Sequence, residues 1–242
     1  RNRKNERCTM TLRSGFGKYG VAAGAAAPVG VYEDGLTVIA VNGFSSQFSV
    51  KTSFTDAITT TVGGNPSYGS TNGIDFDGSG DKVRYLHSAD GFDIGSSQNF
   101  CIAFDYILDE TGASGPFDTG INPTGIGMFG NSHSTYYLRI PAIGTITIST
   151  NNSALSGKHI IYRLGSTITW TINGSSKGSL SSTAAIPSNQ GAGSAMTIGS
   201  HDASSTYPAY YEVNGKIKHY QFRKGTHTIL SSPFDASVMA TT

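Results

Sequence analysis

The sequence predicts an all-β sandwich, and three observations carry the prediction. The 242 residues include 31 glycines, and only 14% are charged. That mix suits short strands joined by tight turns and leaves no long charged helix. Apolar residues alternate with period 2, most clearly where Phe100, Ile102, Phe104 and Tyr106 share one face and Cys101, Ala103 and Asp105 the other. Turn signals recur at about 8–12 residues, the spacing that a sandwich produces.

The elements follow in order. Leu36–Val41 reads as a strand bounded by Gly35 and Asn42-Gly43. Phe48, Val50 and Phe54 share a face if the strand kinks near Thr52, and Thr59–Val62 is a β-branched run. Phe100–Tyr106 is the clearest strand. Asp109–Thr124, with three glycines and two prolines, reads as a long loop. Tyr136–Ile140 and Thr145–Ser149 are strands, the second with isoleucines inward and threonines outward. Ile160–Leu164 and Ile168–Ile172 form a hairpin around Gly165-Ser166, with Ile168, Trp170 and Ile172 on one face. Asn173-Gly174 is a strong tight-turn signal. Met196–Gly199 and Gly215–Phe222 close the series, with a short helical turn expected at Asp235–Met239.

Residues 1–45 differ from the remainder. Arg1–Arg7 is a basic cluster without apolar periodicity, and Gly15–Gly35 is rich in Gly and Ala. The expected division is an extended N-terminal arm with one strand (1–45) and a sandwich domain (46–242). Arg1, Arg3, Lys4 and Arg7 are the candidate assembly contacts of the arm.

Composition narrows the function. A net charge of +1 does not suit a polyanion binder, so no specific nucleic-acid partner is expected. No window holds 18 consecutive apolar residues, so no membrane insertion is expected. Cys8 and Cys101 lie in an arm and a strand without a Cys-x-x-Cys, which favours two free thiols over a disulfide.

Several stretches carry a family resemblance. Ile74-Asp75-Phe76-Asp77-Gly78-Ser79-Gly80-Asp81, continuing to the Asn99–Tyr106 strand, resembles the Phe-Asp-Gly-x-Gly-Asp turn and following strand of laminin-G-like domains in the concanavalin-A-like lectin/glucanase superfamily. Phe54-Thr55-Asp56 followed by Thr59–Gly63 is similar to their opening. Lys158-His159-Ile160-Ile161-Tyr162-Arg163 is similar to their Trp-His-x-x-x-x-Arg strand, and Trp170–Gly174 to their Leu-Tyr-Val-Asp-Gly hairpin. Thr197-Ile198-Gly199 and Asn214–Ile217 are similar to the closing elements. The resemblance covers roughly residues 46–235 and implies a two-sheet antiparallel jelly roll, used more for holding ligands than for chemistry. Lys158 in place of Trp, and Ala103 and Asp105 near the usual Glu and Trp, mark a divergent member. Domains of this divergent kind are frequent in bacteriophage and viral structural proteins.

Catalytic and metal motifs are weak. Two-carboxylate glycoside hydrolysis needs paired acids across a cleft. The four glutamates, Glu6, Glu33, Glu110 and Glu212, form no such motif, and Asp75 and Asp77 belong to the turn. An EF-hand counted from Asp75 would need Glu at position 12, where Leu86 stands. The sequence therefore assigns no cofactor. Calcium is compatible with the resemblance, since relatives bind it through scattered loop oxygens. The six histidines are dispersed, and no Gly-x-Ser-x-Gly elbow occurs. Sugar binding needs exposed aromatics beside polar groups. The candidates are Tyr207, Tyr210 and Tyr211 in the 201–212 loop, and Tyr136 and Tyr137.

The resulting expectation is a non-catalytic virion structural protein, a capsid decoration, fibre or tail component. It would contact other virion proteins or copies of itself, and a host-surface glycan. The alternative is a secreted or cell-surface carbohydrate-binding module. A glycosidase ranks last.

Overall fold

The computed structural model describes residues 37–42, 49–52, 59–69, 73–87, 92–109, 114–120, 124–132, 135–149, 155–188, 194–201 and 211–224. Among these residues the protein is all-β, without helices, and two antiparallel sheets pack face to face. The strands are β1 (Thr37–Asn42), β2 (Ser49–Thr52), β3 (Thr59–Gly63), β4 (Ser67–Gly69), β5 (Gly73–Asp77) and β6 (Lys82–His87). They continue with β7 (Phe100–Leu108), β8 (Ser114–Asp118), β9 (Gly127–Ser132), β10 (Thr135–Ile140), β11 (Gly144–Ser149) and β12 (Gly157–Leu164). The last are β13 (Thr167–Ile172), β14 (Ser175–Ser181), β15 (Ser194–Ile198), β16 (Ser200–His201), β17 (Tyr211–Glu212) and β18 (Asn214–Lys224). The expected helical turn at 235–239 lies outside the described residues.

Sheet A has nine strands and runs β14-β13-β12-β7-β18. The 11-residue β18 then pairs β5 with its first half and β1 with its second, and β4 and β2 extend those two branches. The strand expected in the arm is thus β1, hydrogen-bonded on both edges within sheet A. Sheet B has seven strands, β11-β10-β9-β8-β15-β6-β3.

Period-2 alternation decides the core. Phe100, Ile102, Phe104 and Tyr106 are all buried at 2% exposure or less. Phe104 sits at the centre, edge-on to Phe117 of sheet B at 5.3 Å and stacked with Tyr220 at 5.9 Å. Ile168, Trp170 and Ile172 join from β13, and Ile146 and Ile148 from β11. Each buried side chain of this size contributes about 1.5–3 kcal/mol. The sandwich closes along β11 and β14, where a Cβ on Gly178 would stand 2.6 Å from Ile146. Only glycine allows that approach.

The Asp109–Thr124 loop expectation is corrected, because this stretch contains β8, in the middle of sheet B and buried throughout. Pro116 hid the strand, since proline has no N–H for a central ladder. The ladder solves this with a bulge: register shifts between Ser114 and Phe117, so Pro116 sits where no donor is required. Its carbonyl still accepts from Gly199 N–H at 3.0 Å.

Two turns match their sequence signals. β12 and β13 join through Gly165-Ser166. Asn173 and Gly174 both take left-handed φ (50° and 78°), as a two-residue hairpin of type I′ requires.

Candidate functional site: the outer face of sheet B

The residues that carry the resemblance hold the fold. Asp81 is 1% exposed and accepts from Asn65 N–H at 2.6 Å and Asp77 N–H at 2.9 Å. Asp77 accepts from Ser79 N–H at 2.8 Å, and Glu212 on β17 accepts from Gly80 N–H at 2.8 Å. Asp75 lies 3.5 Å from Lys216, which also bonds Asp109. These carboxylates organise turns and strand ends. Among the described residues no cluster of three or more His, Cys, Asp or Glu could hold a metal ion.

On β12, His159 and Arg163 point into the sandwich. His159 stacks on Phe104 at 4.8 Å, its Nε2–H donates to Leu155 O at 2.7 Å, and Trp170 Nε1–H donates to Nδ1 at 3.2 Å. Burial lowers its pKa to about 4. A second proton would have to enter at Nδ1, where the indole N–H already points. Arg163 donates from Nε to Gln98 O and from its two terminal nitrogens to Ala184 O and Gly95 O, at 2.6–2.7 Å. Its guanidinium lies over the Phe100 ring at 5.6 Å. It thereby ties the segment before β7 to the segment after β14. Cys101 is a free, buried thiol whose pKa burial pushes up to about 12, so it is inert rather than nucleophilic.

Sheet B carries a different arrangement on the face turned away from the core. Val83, Tyr85, Met196, Ile198, Phe117, Met128, Leu138 and Ile140 fill the inner face. The residues between them therefore face outward. Direct cross-strand partners line up as Thr61, Arg84, Thr197, Asp118, Gly127, Arg139 and Thr145, one from each strand of the sheet. Partners in register present their side chains on the same face. Asp118 and Thr197 are buried, and Asp118 Oδ1 accepts from Gly120 N–H at 2.9 Å; Arg84 and Arg139 are half-buried; Thr61 and Thr145 are exposed. Two residues further along on the same face, Tyr137 of β10 opposes Phe129 of β9, and their rings lie 5.3 Å apart at 32°. Lys82 lies on the same face, its aliphatic stem against Gly63. The strip thus joins an aromatic pair, a carboxylate, hydroxyls and cations on one face of the sheet, buried along β15, β8 and β9 and more exposed towards β6 and β10.

Alternation splits the two tyrosines expected to act together. Tyr136 is fully buried with its ring against Gly130, where a Cβ would come within 2.3 Å of it. Tyr137 is half-buried on the outer face. Tyr211 belongs to β17 and pairs His201. Tyr207 and Tyr210 lie outside the described residues, as do Arg1, Arg3, Lys4 and Arg7. Arg84, Asp118, Phe129, Arg139 and Thr197 escaped the sequence reading because they lie far apart in the chain. Their signal was there in part: Arg84, Arg139 and Thr197 are each the polar member between two apolar residues. Strand order alone assembles them.

The architecture recurs among solved structures. The Trypanosoma rangeli sialidase, a covalent intermediate with 2,3-difluorosialic acid, superposes with a TM-score of 0.55 at 16% identity, over 87% of this chain and 33% of that one. The binding domain of botulinum neurotoxin DC in complex with SialylT gives 0.52 at 10% identity, over 84% and 51%. The receptor-binding domain of the botulinum neurotoxin C/D mosaic serotype gives 0.50 at 10%, over 84% and 50%. The fold is a lectin-like β-sandwich. This chain spans about half the length of the toxin domains and a third of the sialidase. No protein-family model and no curated protein matches the sequence. No helix among the described residues is long and apolar enough to cross a membrane.

Proposed function

We propose that this protein is a non-catalytic, glycan-binding β-sandwich that engages its ligand on the outer face of sheet B. The observation that carries the reading is the cross-strand strip of Arg84, Thr197, Asp118 and Arg139 beside the Tyr137–Phe129 pair. Sugars present C–H faces that pack on aromatic rings and hydroxyls that need paired donors and acceptors. The half-buried Tyr137, Arg84 and Arg139 offer a ring and donors on a sheet, which holds them rigidly. Among the described residues of the strip Asp118 is the one carboxylate, whereas two-carboxylate hydrolysis requires a pair at about 5–9.5 Å. That favours holding over cleavage. Two of the solved structures that share the fold are toxin binding domains, one of them bound to SialylT, which agrees with this reading.

The test is a glycan array probed with the intact protein and with Tyr137→Ala, Tyr207→Ala and Tyr210→Ala. Tyr137→Ala is expected to weaken any glycan retained by the parent about tenfold, roughly 1.4 kcal/mol. The loop variants are expected to stay near parent affinity. Loss on changing Tyr207 or Tyr210 instead would move the site to the 201–212 loop.

A second proposal concerns where the domain works. The basic Arg1–Arg7 cluster and the Gly/Ala-rich 15–35 stretch suit an assembly anchor, and the laminin-G-like resemblance suits a domain displayed on a virion surface. Crosslinks from Lys4 or Lys18 to a different, abundant shell or tail protein would support this. Normal assembly of a chain lacking residues 1–36, a cut that spares β1, would contradict it.

A further inference from the structure

We infer that β3 is a docking edge and that its occupant is residues 8–12 of this chain's own N-terminal arm, added to the seven strands of sheet B as an eighth. The inference is independent of the glycan-binding reading. β3 ends sheet B, and among the described residues no strand pairs its far side. Edge strands are normally guarded by charges, prolines or bulges, because their unpaired N–H and C=O groups recruit other strands. β3 reads Thr-Thr-Thr-Val-Gly, with no charge and no proline. Its register is unbroken, from Thr59 opposite Leu86 to Gly63 opposite Lys82. Threonine and valine favour the extended chain, and all four residues from Thr59 to Val62 are exposed. Val62 adds a second observation. Its direct partner Val83 is fully buried in the core, so Val62 stands on the core-facing side of the sheet, yet it is 48% exposed. Core-facing apolar surface is therefore uncovered at this margin.

The arm, which lies outside the described residues, contains a segment of matching pattern. Cys8-Thr9-Met10-Thr11-Leu12 alternates apolar and polar residues between Arg7 and Arg13. As a strand it puts Cys8, Met10 and Leu12 on one face and Thr9 and Thr11 on the other. Beside β3, the first set continues the core-facing row of Thr60 and Val62, and the second the outward row of Thr59 and Thr61. Residues 15–35, by contrast, hold six glycines, which weaken a strand. The tether also fits. The two sheets close on each other along β11 and β14, so β2 and β3 end them at the opposite margin. The arm joins the described fold at Thr37 of β1, beside β2 at that margin. The 24 residues from Arg13 to Leu36 reach about 80 Å at full stretch, against ~10 Å between packed sheets. A tether holds its segment at an effective concentration of about the millimolar range, which favours the chain's own β3 over a neighbour's. Pairing there covers Val62 and brings Arg1–Arg7 to the β3 margin of the sandwich.

The experiment is residue-resolved amide hydrogen exchange on the full-length protein and on Met10→Pro, whose proline has no N–H and interrupts a ladder. The substitution lies in the arm, and unchanged amide signals from β7, β12 and β13 would show that the sandwich is folded. At least one amide of Thr59–Val62 is expected to exchange about tenfold or more slower in the parent than in Met10→Pro. Val21→Pro, in the Gly/Ala-rich stretch, should match the parent. Equal exchange along β3 in the parent and Met10→Pro would overturn the inference. Disulfide trapping then identifies whose arm is bound. Thr60→Cys and Val62→Cys, each alone and combined with Met10→Cys, are oxidised and mapped by mass spectrometry. Native Cys8 is the partner in the single variants, and Cys101 is buried. The expected product is a disulfide within one chain in at least one of these proteins. Thr61→Cys, on the opposite face, should trap none. Disulfides between chains would put a neighbour's arm on β3 and overturn the own-chain assignment. Protection of β3 that survives Met10→Pro and fades on dilution would show two β3 edges paired between copies, and would overturn the inference as well.

Discussion

Strand β12 and the outer strip of sheet B are both polar, but their polar groups face opposite ways. On β12, His159 and Arg163 point between the sheets. Two hydrogen bonds hold the imidazole, and three carbonyls hold the guanidinium. On sheet B, Arg84, Asp118, Thr197 and Arg139 point outward from four different strands. The first group reads as a motif in the sequence and has a structural job. The second shows in the sequence only as single polar residues between apolar ones, and it is the face proposed to hold a ligand. A short motif records local geometry that a fold needs repeatedly. A cross-strand strip records strand order, which no local pattern contains.

This contrast predicts that β12 variants should lose stability and sheet B variants should lose binding. The largest effect is expected for Arg163→Leu. It removes three charge-assisted hydrogen bonds and leaves Gln98, Ala184 and Gly95 carbonyls unmatched. The cost should be about 3–5 kcal/mol, read by urea denaturation. A loss under about 1 kcal/mol would show that the tie between the two segments is dispensable.

Next comes pH. His159 is held near a pKa of about 4, below the ordinary 6.5, so the unfolded chain takes up its proton first as pH falls. Stability is full above pH 6.5, declines between 6.5 and about 4, and then levels off for this group. The total is roughly 3 kcal/mol. Denaturation midpoints at pH 7.5, 6 and 5 should fall for the parent protein and fall less for His159→Gln. Equal slopes would assign the decline to other groups.

A smaller effect is expected at Gly130. An alanine there would press its Cβ into the Tyr136 ring from 2.3 Å, an overpacked contact worth ~1–3 kcal/mol. Because Tyr136 is a core residue, this variant should lower the unfolding midpoint and leave glycan affinity unchanged once folded. The smallest stability effects are expected for Arg84→Gln and Tyr137→Ala, half-buried on the outer face, at about 1 kcal/mol. A large destabilisation by either would place the sheet B strip in the same structural class as β12.

Much of the fold was legible in the sequence. The alternation of Phe100–Tyr106 and Ile168–Ile172 set faces correctly, because a two-sheet core forces period 2 on any strand that contributes to it. Asn173-Gly174 was legible because a type I′ turn needs two left-handed residues. β8 was not, because a proline in a bulged central strand looks like a loop until its neighbours are known. Of the residues of the proposed site, the sequence had pointed only to Tyr137. Its neighbour Tyr136 has the same chemistry and the opposite direction, and parity relative to Leu138 and Ile140 separates the two. Asp118 directly follows the β8 bulge, so even its face could not be assigned before the strand was found.

The central claim is that the outer face of sheet B holds the ligand. The most direct measurement is residue-resolved amide NMR during titration with whichever glycan the array retains. The account predicts that shifts concentrate at Arg84, Thr197, Asp118, Gly127, Tyr137 and Arg139, with β12 and β13 unmoved. Shifts confined to β12–β14 or to the 201–212 loop, with sheet B silent, would contradict it.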